Sequence, residues 1–268
     1  MATDRERAPR WDDLLGLLDE LGYTINTASF GAGDWQYTAT DYDDLGNTTR
    51  TLDVRGARAV LSGAAVADQA ASYTFYNGDL SGTTSTTTGG TTTSSTGVVT
   101  PKGTLVVETL GPARTATVPD TTTGAPAGAT VQRLVRPRTH TDYDQGAPTS
   151  STAAPAVEGQ TTGAGINPAT GMPYRLATTT TTTAVDASAT ASSGGAGATL
   201  TGDLTALDTV SVTRNGYAKG ATTSADGWAL GAPVTVTTKM GTGNTGDDIV
   251  KTTIYDDEGT VLSTSQLQ

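Results

Sequence analysis

Hydrophobic and polar positions along this chain follow two periods. Trp11, Leu14, Leu15, Leu18 and Leu21 recur at the i, i+3, i+4, i+7 spacing of one helical face, with acids in the first turn and Gly22 placed as a stop. This predicts a helix over 11–21, so short that its stripe must pack on another surface. After Tyr23 the period falls to two. Val234 and Val236 alternate with Thr235 and Thr237, as in a strand with one covered and one wet face. Similar runs predict strands at 35–42, 47–54, 71–76, 103–110, 174–183, 208–217, 233–240 and 249–255. Gly-x-Pro precedes a Thr-rich run at Pro148, Pro173 and Pro233, and a proline at a strand's first residue gives up no ladder bond.

Three strands close on the same phrase: Tyr42-Asp43-Asp44-Leu45-Gly46, Tyr143-Asp144-Gln145-Gly146 and Tyr255-Asp256-Asp257-Glu258-Gly259. The aspartate suits the first position of a type I turn, where its carboxylate can accept from following N–H groups. Gly46 and Gly259 fall at the fourth position, where a hairpin needs a left-handed residue to bring the ladder back into register. The copy ending in Gly146 is one residue shorter, so its turn must differ. The tyrosine ends the incoming strand and offers a large ring with a polar tip.

Between these turns lie tracts of low complexity at 81–97, 122–129 and 187–198, whose Gly, Ser, Thr and Ala content predicts mobile loops. They divide the chain into an N-terminal segment (1–24), a first β region (25–80), a loop (81–97), a second β region (98–186), a loop (187–198) and a third β region (199–268). The fold class expected is all-β: short antiparallel strands and hairpins with one short N-terminal helix.

Composition narrows the function. Only 35% of the 268 residues are hydrophobic, and the net charge of −11 gives no footprint for nucleic acid. The basic cluster at 133–138 is read as the solvated side of a strand. No cysteine is present, so thiolate chemistry and zinc–thiolate sites are excluded. No apolar run approaches membrane length, and the charged N-terminus is not followed by the apolar stretch of a signal peptide.

Candidate chemistry is sparse, and no cofactor is expected. His140 is the sole histidine and alternates with threonines, so a cross-strand role is preferred to catalysis. The acidic groups Asp41/Asp43/Asp44 and Asp256/Asp257/Glu258 are too few in oxygens for calcium, and the turn already uses Asp43 and Asp256. Trp35 and Trp228, with Tyr42, Tyr143 and Tyr255, are candidates for stacking on a carbohydrate. The competing use of those rings is to cover a sheet poor in large apolar groups, and exposure separates the two.

The stretches "YDDLGNTTRTLDVRG" (42–56) and "TTIYDDEGTVLSTS" (252–265) resemble the YD repeats of the Rhs family of large bacterial surface and toxin-delivery proteins. In that family an aromatic-Asp-x-x-Gly turn leads into a polar strand, with an Asp-x-x-Gly echo such as Asp53-Val54-Arg55-Gly56. "DGWALGAPVTVTTK" (226–239) is similar to strands found between such repeats. The resemblance implies a long antiparallel β-ribbon that spirals into a shell, secreted or on the cell surface. Its partners would be adjoining repeats or an enclosed toxin polypeptide. The family's Asp-Pro self-cleavage step has no counterpart, and no variable toxin tail follows Gln268, so the expectation is an internal or degenerate piece of a shell without enzymatic activity. A carbohydrate-binding or adhesive β module is the alternative.

Overall fold

The structure is a computed structural model that describes residues 15–18, 20–31, 33–88, 91–147, 173–192, 198–202, 204–218, 226–240, 248–256 and 258–267. In chain order the strands are β1 (Leu15–Leu18), β2 (Thr24–Gly31), β3 (Asp34–Tyr42), β4 (Thr48–Leu52), β5 (Ser72–Tyr76), β6 (Leu80–Thr88), β7 (Thr91–Thr100), β8 (Val106–Leu110) and β9 (Arg114–Pro119). They continue with β10 (Thr130–Tyr143), β11 (Ala177–Asp186), β12 (Thr190–Ser192), β13 (Thr199–Thr201), β14 (Ala206–Gly216), β15 (Thr235–Met240), β16 (Ile249–Tyr255) and β17 (Val261–Leu267). Three short helices intervene: α1 (Val54–Leu61), α2 (Ala67–Ala70) and α3 (Gly227–Leu230).

The expected all-β class is what the chain adopts. One antiparallel sheet of 13 strands runs in the order β1-β2-β3-β4-β5-β8-β10-β11-β14-β15-β16-β17, with β9 also paired to β10. Because neighbours alternate in direction, the connections fall at two ends. The hairpins after β1, β3 and β16, and the longer links after β5, β10 and β14, share one end, called here the turn end. The opposite end carries α1 and α2, β9 and the separate pair β12–β13.

The core lies at that opposite end. Leu52, Tyr73, Phe75, Leu110 and Val185 from the sheet are buried with Ala57 of α1 and with Ala71, Ala189 and Ala191. Cross-strand register puts Leu52 opposite Ala39, and Tyr73 opposite both Arg50 and Leu110, so these side chains share a face. The other face is mostly hydroxyl-bearing: Thr74, Thr109, Thr139, Thr182 and Ser211 are opposite one another in one row across five strands. Period-two alternation thus sorts apolar from threonine, and β-branched threonine keeps the wet face in strand conformation.

Several sequence expectations are corrected. Residues 15–18 are strand, not helix: Leu15 pairs with Ala28 and Leu18 with Thr24. Residues 11–14 lie outside the described part. Leu18-Asp19-Glu20-Leu21-Gly22-Tyr23-Thr24 has the spacing of Tyr42-Asp43-Asp44-Leu45-Gly46-Asn47-Thr48, and Gly22, with φ of 87°, matches Gly46 at 81°. A turn signal here outweighs a helical stripe too short to hold itself. Asp53-Val54-Arg55-Gly56 starts a helix and ends the predicted strand 47–54 early, since the Asp53 carboxylate caps α1 by accepting from the Gly56 N–H at 2.7 Å.

Of the tract 81–97, residues 81–88 and 91–97 belong to the antiparallel pair β6–β7, with Ser81 opposite Val98 and Thr88 opposite Thr91, and 89–90 lie outside the described residues. Threonine's strand preference decides this where composition alone suggested a loop. Part of 187–198 is core: Ala187, Ala189 and Ala191 are buried, the last two within the main apolar cluster, while 193–197 lie outside the described residues. In the basic cluster, Leu134 is exposed and Arg136 is fully buried, the reverse of a solvated basic side.

The reason is a set of matched acceptors. The Arg136 guanidinium donates to the carbonyls of Gly111 (2.8 Å), Ala71 (2.8 Å) and Ala189 (3.1 Å), lies 3.4 Å from an Asp68 oxygen and sits 5.5 Å over the Tyr73 ring. Burial lowers its pKa, against the pull of Asp68. Tyr73 donates to Asp68 at 2.6 Å, and burial followed by that bond pushes its hydroxyl up to about 12. No helix among the described residues is long and apolar enough to cross a membrane.

Candidate functional site

The three phrases singled out in the sequence all stand at the turn end. Two form the same tight hairpin. The Asp43 N–H donates to the Asn47 carbonyl and the Gly46 N–H to the Asp43 carbonyl, while one carboxylate oxygen of Asp43 accepts from the N–H groups of Leu45 (2.9 Å) and Asn47 (2.8 Å). Asp256 repeats this: its N–H donates to the Thr260 carbonyl, Gly259 donates to the Asp256 carbonyl, and the carboxylate accepts from Glu258 (3.1 Å) and Thr260 (2.7 Å). Gly46 and Gly259 hold φ of 81° and 87°, a region that penalises a Cβ.

The third phrase is an opened version. Asp144 donates to the Leu176 carbonyl, and its two carboxylate oxygens accept from the N–H groups of Arg175 (2.9 Å) and Leu176 (2.8 Å), across a gap in sequence of some thirty residues. Arg175, with φ of 58°, takes the place that Gly46 and Gly259 hold in the tight turns. Gly146, at φ of 74°, belongs to the local turn closed by the Ala147 N–H on the Asp144 carbonyl. Asp144 is fully buried, and burial raises its carboxyl pKa against the lowering pull of the Leu176 and Arg175 N–H groups.

A fourth unit of this type escaped the sequence reading. Asn77 donates to the Leu105 carbonyl, and its side-chain oxygen accepts from the N–H groups of Thr104 (3.0 Å) and Leu105 (2.7 Å), with β6–β7 spliced between. Its NH₂ donates to the carbonyls of Gly78 and Pro101, at 2.7 and 2.9 Å. The signal was Tyr76-Asn77, an amide in place of the acid. In all four units the strand register slips by one at the tyrosine, so that Tyr42 faces Thr48, Tyr76 faces Val106, Tyr143 faces Ala177 and Tyr255 faces Val261.

The tyrosines connect the units. Tyr42 donates its hydroxyl to the Thr24 carbonyl (3.3 Å), Tyr76 to Thr48 (3.3 Å), Tyr143 to Val106 (2.8 Å), Tyr217 to Ala177 (2.9 Å) and Tyr255 to Pro233 (3.3 Å). Of the six strands that end at this rim, β3, β5, β10, β14 and β16 therefore end in, or just before, a tyrosine that reaches back to the start of the preceding strand or, for Tyr255, to Pro233 just ahead of it, while β1 ends in Leu18. Thr48, Val106 and Ala177 each face one tyrosine and accept from the next, so the bonds form a relay along the turn end. Tyr217, the fifth member, is followed by Ala218 and carries no aspartate.

The remaining candidates divide. Trp228 is buried between Tyr174 and Tyr217, with ring centroids 5.1 and 4.8 Å away, so it braces the Tyr217 position and offers no open ring for stacking. Trp35 is 37% exposed and meets Phe30 edge to face at 5.7 Å. Beside it, Ala28, Tyr37, Ala39, Leu52 and Val60 line a half-open apolar groove of about 720 Å³ between α1 and β2–β3.

His140 stands in a charged ladder. Its Nδ1 lies 3.4 Å from Glu108 and its Nε2 3.3 Å from Asp142, while Arg138 forms a two-point pair with Glu108, 3.0 Å on its longer arm. The neighbouring Glu108 carboxylate raises the histidine pKa more than desolvation lowers it. For Glu108, burial raises the pKa, but the nearby His140 and the bonds from Arg138 outweigh it and hold the carboxyl below its usual range. Comparison of the chain with known protein families and with curated proteins gives no match.

Proposed function

We propose that the chain is a non-enzymatic structural segment of an Rhs-like β-shell, from a bacterial surface or secreted toxin-delivery protein. The observation that supports this reading best is the tyrosine relay: five hydroxyls on alternate strands, each bonded to the strand before. A relay of this kind has no built-in end. It suits a ribbon lengthened hairpin by hairpin, in which long loops between the strands are tolerated and chemistry is left to what the ribbon encloses or carries.

A segment of a ribbon has open edges, and unpaired N–H and C=O rows recruit other strands. The net charge of −11 opposes close approach, so self-association should increase as salt screens it. Light scattering over an ionic-strength series, paired with thermal melting, tests this. A monodisperse monomer at every salt, with one sharp transition, would overturn the reading.

The exposed Trp35, Phe30 and Tyr37 beside the apolar groove favour a second reading, a carbohydrate-binding or adhesive module. Under it, Trp35→Ala abolishes retention on a polysaccharide affinity gel while the melting temperature holds. Unchanged retention, or none by the parent chain, removes this reading.

A further inference from the structure

We infer that the outer edge of β17 is a docking site for one more antiparallel strand of stated chemistry: an extended segment of little net charge ending in tyrosine followed by Asp or Asn, whose tyrosine hydroxyl donates to the Val261 carbonyl. The inference deepens the proposed function and rests on it, because it names what the ribbon segment pairs with.

Three observations carry it. First, the hairpin of 255–261 repeats that of 42–48: the same backbone closure, the same two N–H groups on one carboxylate oxygen, the same glycine conformation and the same register slip, Asp43 having one further bond from the Asn47 side chain. In the 42–48 hairpin the carbonyl at this place, that of Thr48, accepts from Tyr76 on the next strand. Val261 occupies the place of Thr48, Val106 and Ala177, all of which accept from a following tyrosine. Among the described residues, no tyrosine reaches Val261.

Second, among the described residues β17 pairs only with β16, and all its residues are exposed, Val261, Leu262 and Leu267 by 53, 62 and 73%. Third, "VLSTSQL" contains no charge and no proline, the two devices by which edge strands usually repel a newcomer.

A second copy of the chain is the rival occupant. The path from β1 to β17 contains 12 strands, an even number, so β1 of another copy would also lie antiparallel to β17. That strand ends in Leu18, which has no hydroxyl to give Val261. The acceptor at Val261 therefore selects a tyrosine-ended strand over β1.

The test uses the full chain and a fluorescein-labelled peptide IVKTTIYD, copying residues 249–256, read by anisotropy and by hydrogen exchange. Saturable binding with new protection confined to 261–267 is expected, about fivefold weaker for the peptide carrying Tyr255→Phe, as the loss of one hydrogen bond implies. Equal binding of the two peptides, protection at β1 instead, no binding, or β17 already protected by self-association would each overturn the inference. A chain that is monomeric at every salt yet takes the tyrosine peptide would lose the shell reading and keep this edge. A chain that associates with salt but ignores the peptide would do the reverse.

Discussion

Asp256 and Asp144 accept the same number of backbone N–H groups, yet one closes a five-residue turn and the other holds together strand ends separated by an insertion of about thirty residues. The tight turn is half-exposed and has its neighbours in sequence to keep it closed. In the opened one Asp144 is fully buried, and beside its bonds the turn has the packing of Ala147, Tyr174 and Leu176 against Tyr217 and Trp228. The contrast teaches that the repeat is not a loop sequence. It is a clamp with an Asx side chain and tyrosine on one jaw, and on the other a left-handed residue and an accepting carbonyl. What joins the jaws is free to vary.

The largest effect should come from removing the buried clamp. Asp144→Ala takes the buried carboxylate away from the part-buried Arg175 and Leu176 N–H groups and should cost about 3 kcal/mol, against about 1 kcal/mol for Asp256→Ala. Denaturant midpoints of the two variants measure this, and equal costs would dissolve the comparison. The penalty at Asp144 should also depend on pH. Its carboxyl titrates higher in the folded chain than its ordinary 3.8, so its contribution is fully present below that value and is lost as pH rises through the folded one. The Asp144→Ala penalty should therefore be larger below pH 3.8 than at neutrality.

Next in size is the exchange of anchors between the two opened turns. Asn77 accepts two N–H groups on one oxygen and donates its NH₂ to two carbonyls, whereas Asp144 accepts on both oxygens. Asp144→Asn turns an NH₂ toward an N–H, and Asn77→Asp turns a carboxylate toward Gly78 and Pro101. Each should cost about 2 kcal/mol by thermal melting, although both residues serve the same role. A free exchange would mean that the anchors are read by shape alone.

Tyr143→Phe and Tyr255→Phe each remove one relay bond and should cost about 1 kcal/mol. Tyr143, with the shorter bond of 2.8 Å against 3.3 Å, should be the costlier, and chemical denaturation ranks them. The smallest effect lies outside both kinds of turn. His140 gives a single imidazole resonance, which should titrate above the ordinary 6.5. Its contribution is present below 6.5 and lost as pH rises through the folded value. That of Glu108 is present above its ordinary 4.5 and lost as pH falls through its lowered one. The two overlap between about 4.5 and 6.5. A histidine pKa at or below 6.5 would refute the ladder.

Much of the sheet was legible because threonine and valine alternate so regularly, and the predicted runs at 35–42, 71–76, 208–217 and 249–255 coincide with β3, β5, β14 and β16. The tight turns were legible because anchor and glycine are adjacent in sequence. What was hidden had lost one of its marks. Leu18 replaces the tyrosine of the first turn, and its leucines mimic a helical face. Asn77 replaces the acid, and its left-handed partner Gly103, at φ of 75°, is displaced beyond β6–β7. The burial of Arg136 could not be read from 133–138, because its acceptors come from Ala71, Gly111 and Ala189, far away in sequence.

The clamp also makes the turn end a natural place for grafting foreign sequence. When two strand ends are held by their own bonds, lengthening the segment between them costs only the slow, logarithmic loss of chain entropy, about 0.6 kcal/mol for each doubling. The chain already joins its strands through two such long links, one after Asn77 and one after Asp144, whose ends are clamped on the same rim. The tight turns at 43–46 and 256–259 are the vacant berths, where a guest peptide would be carried beside its neighbours with the sheet beneath it unchanged.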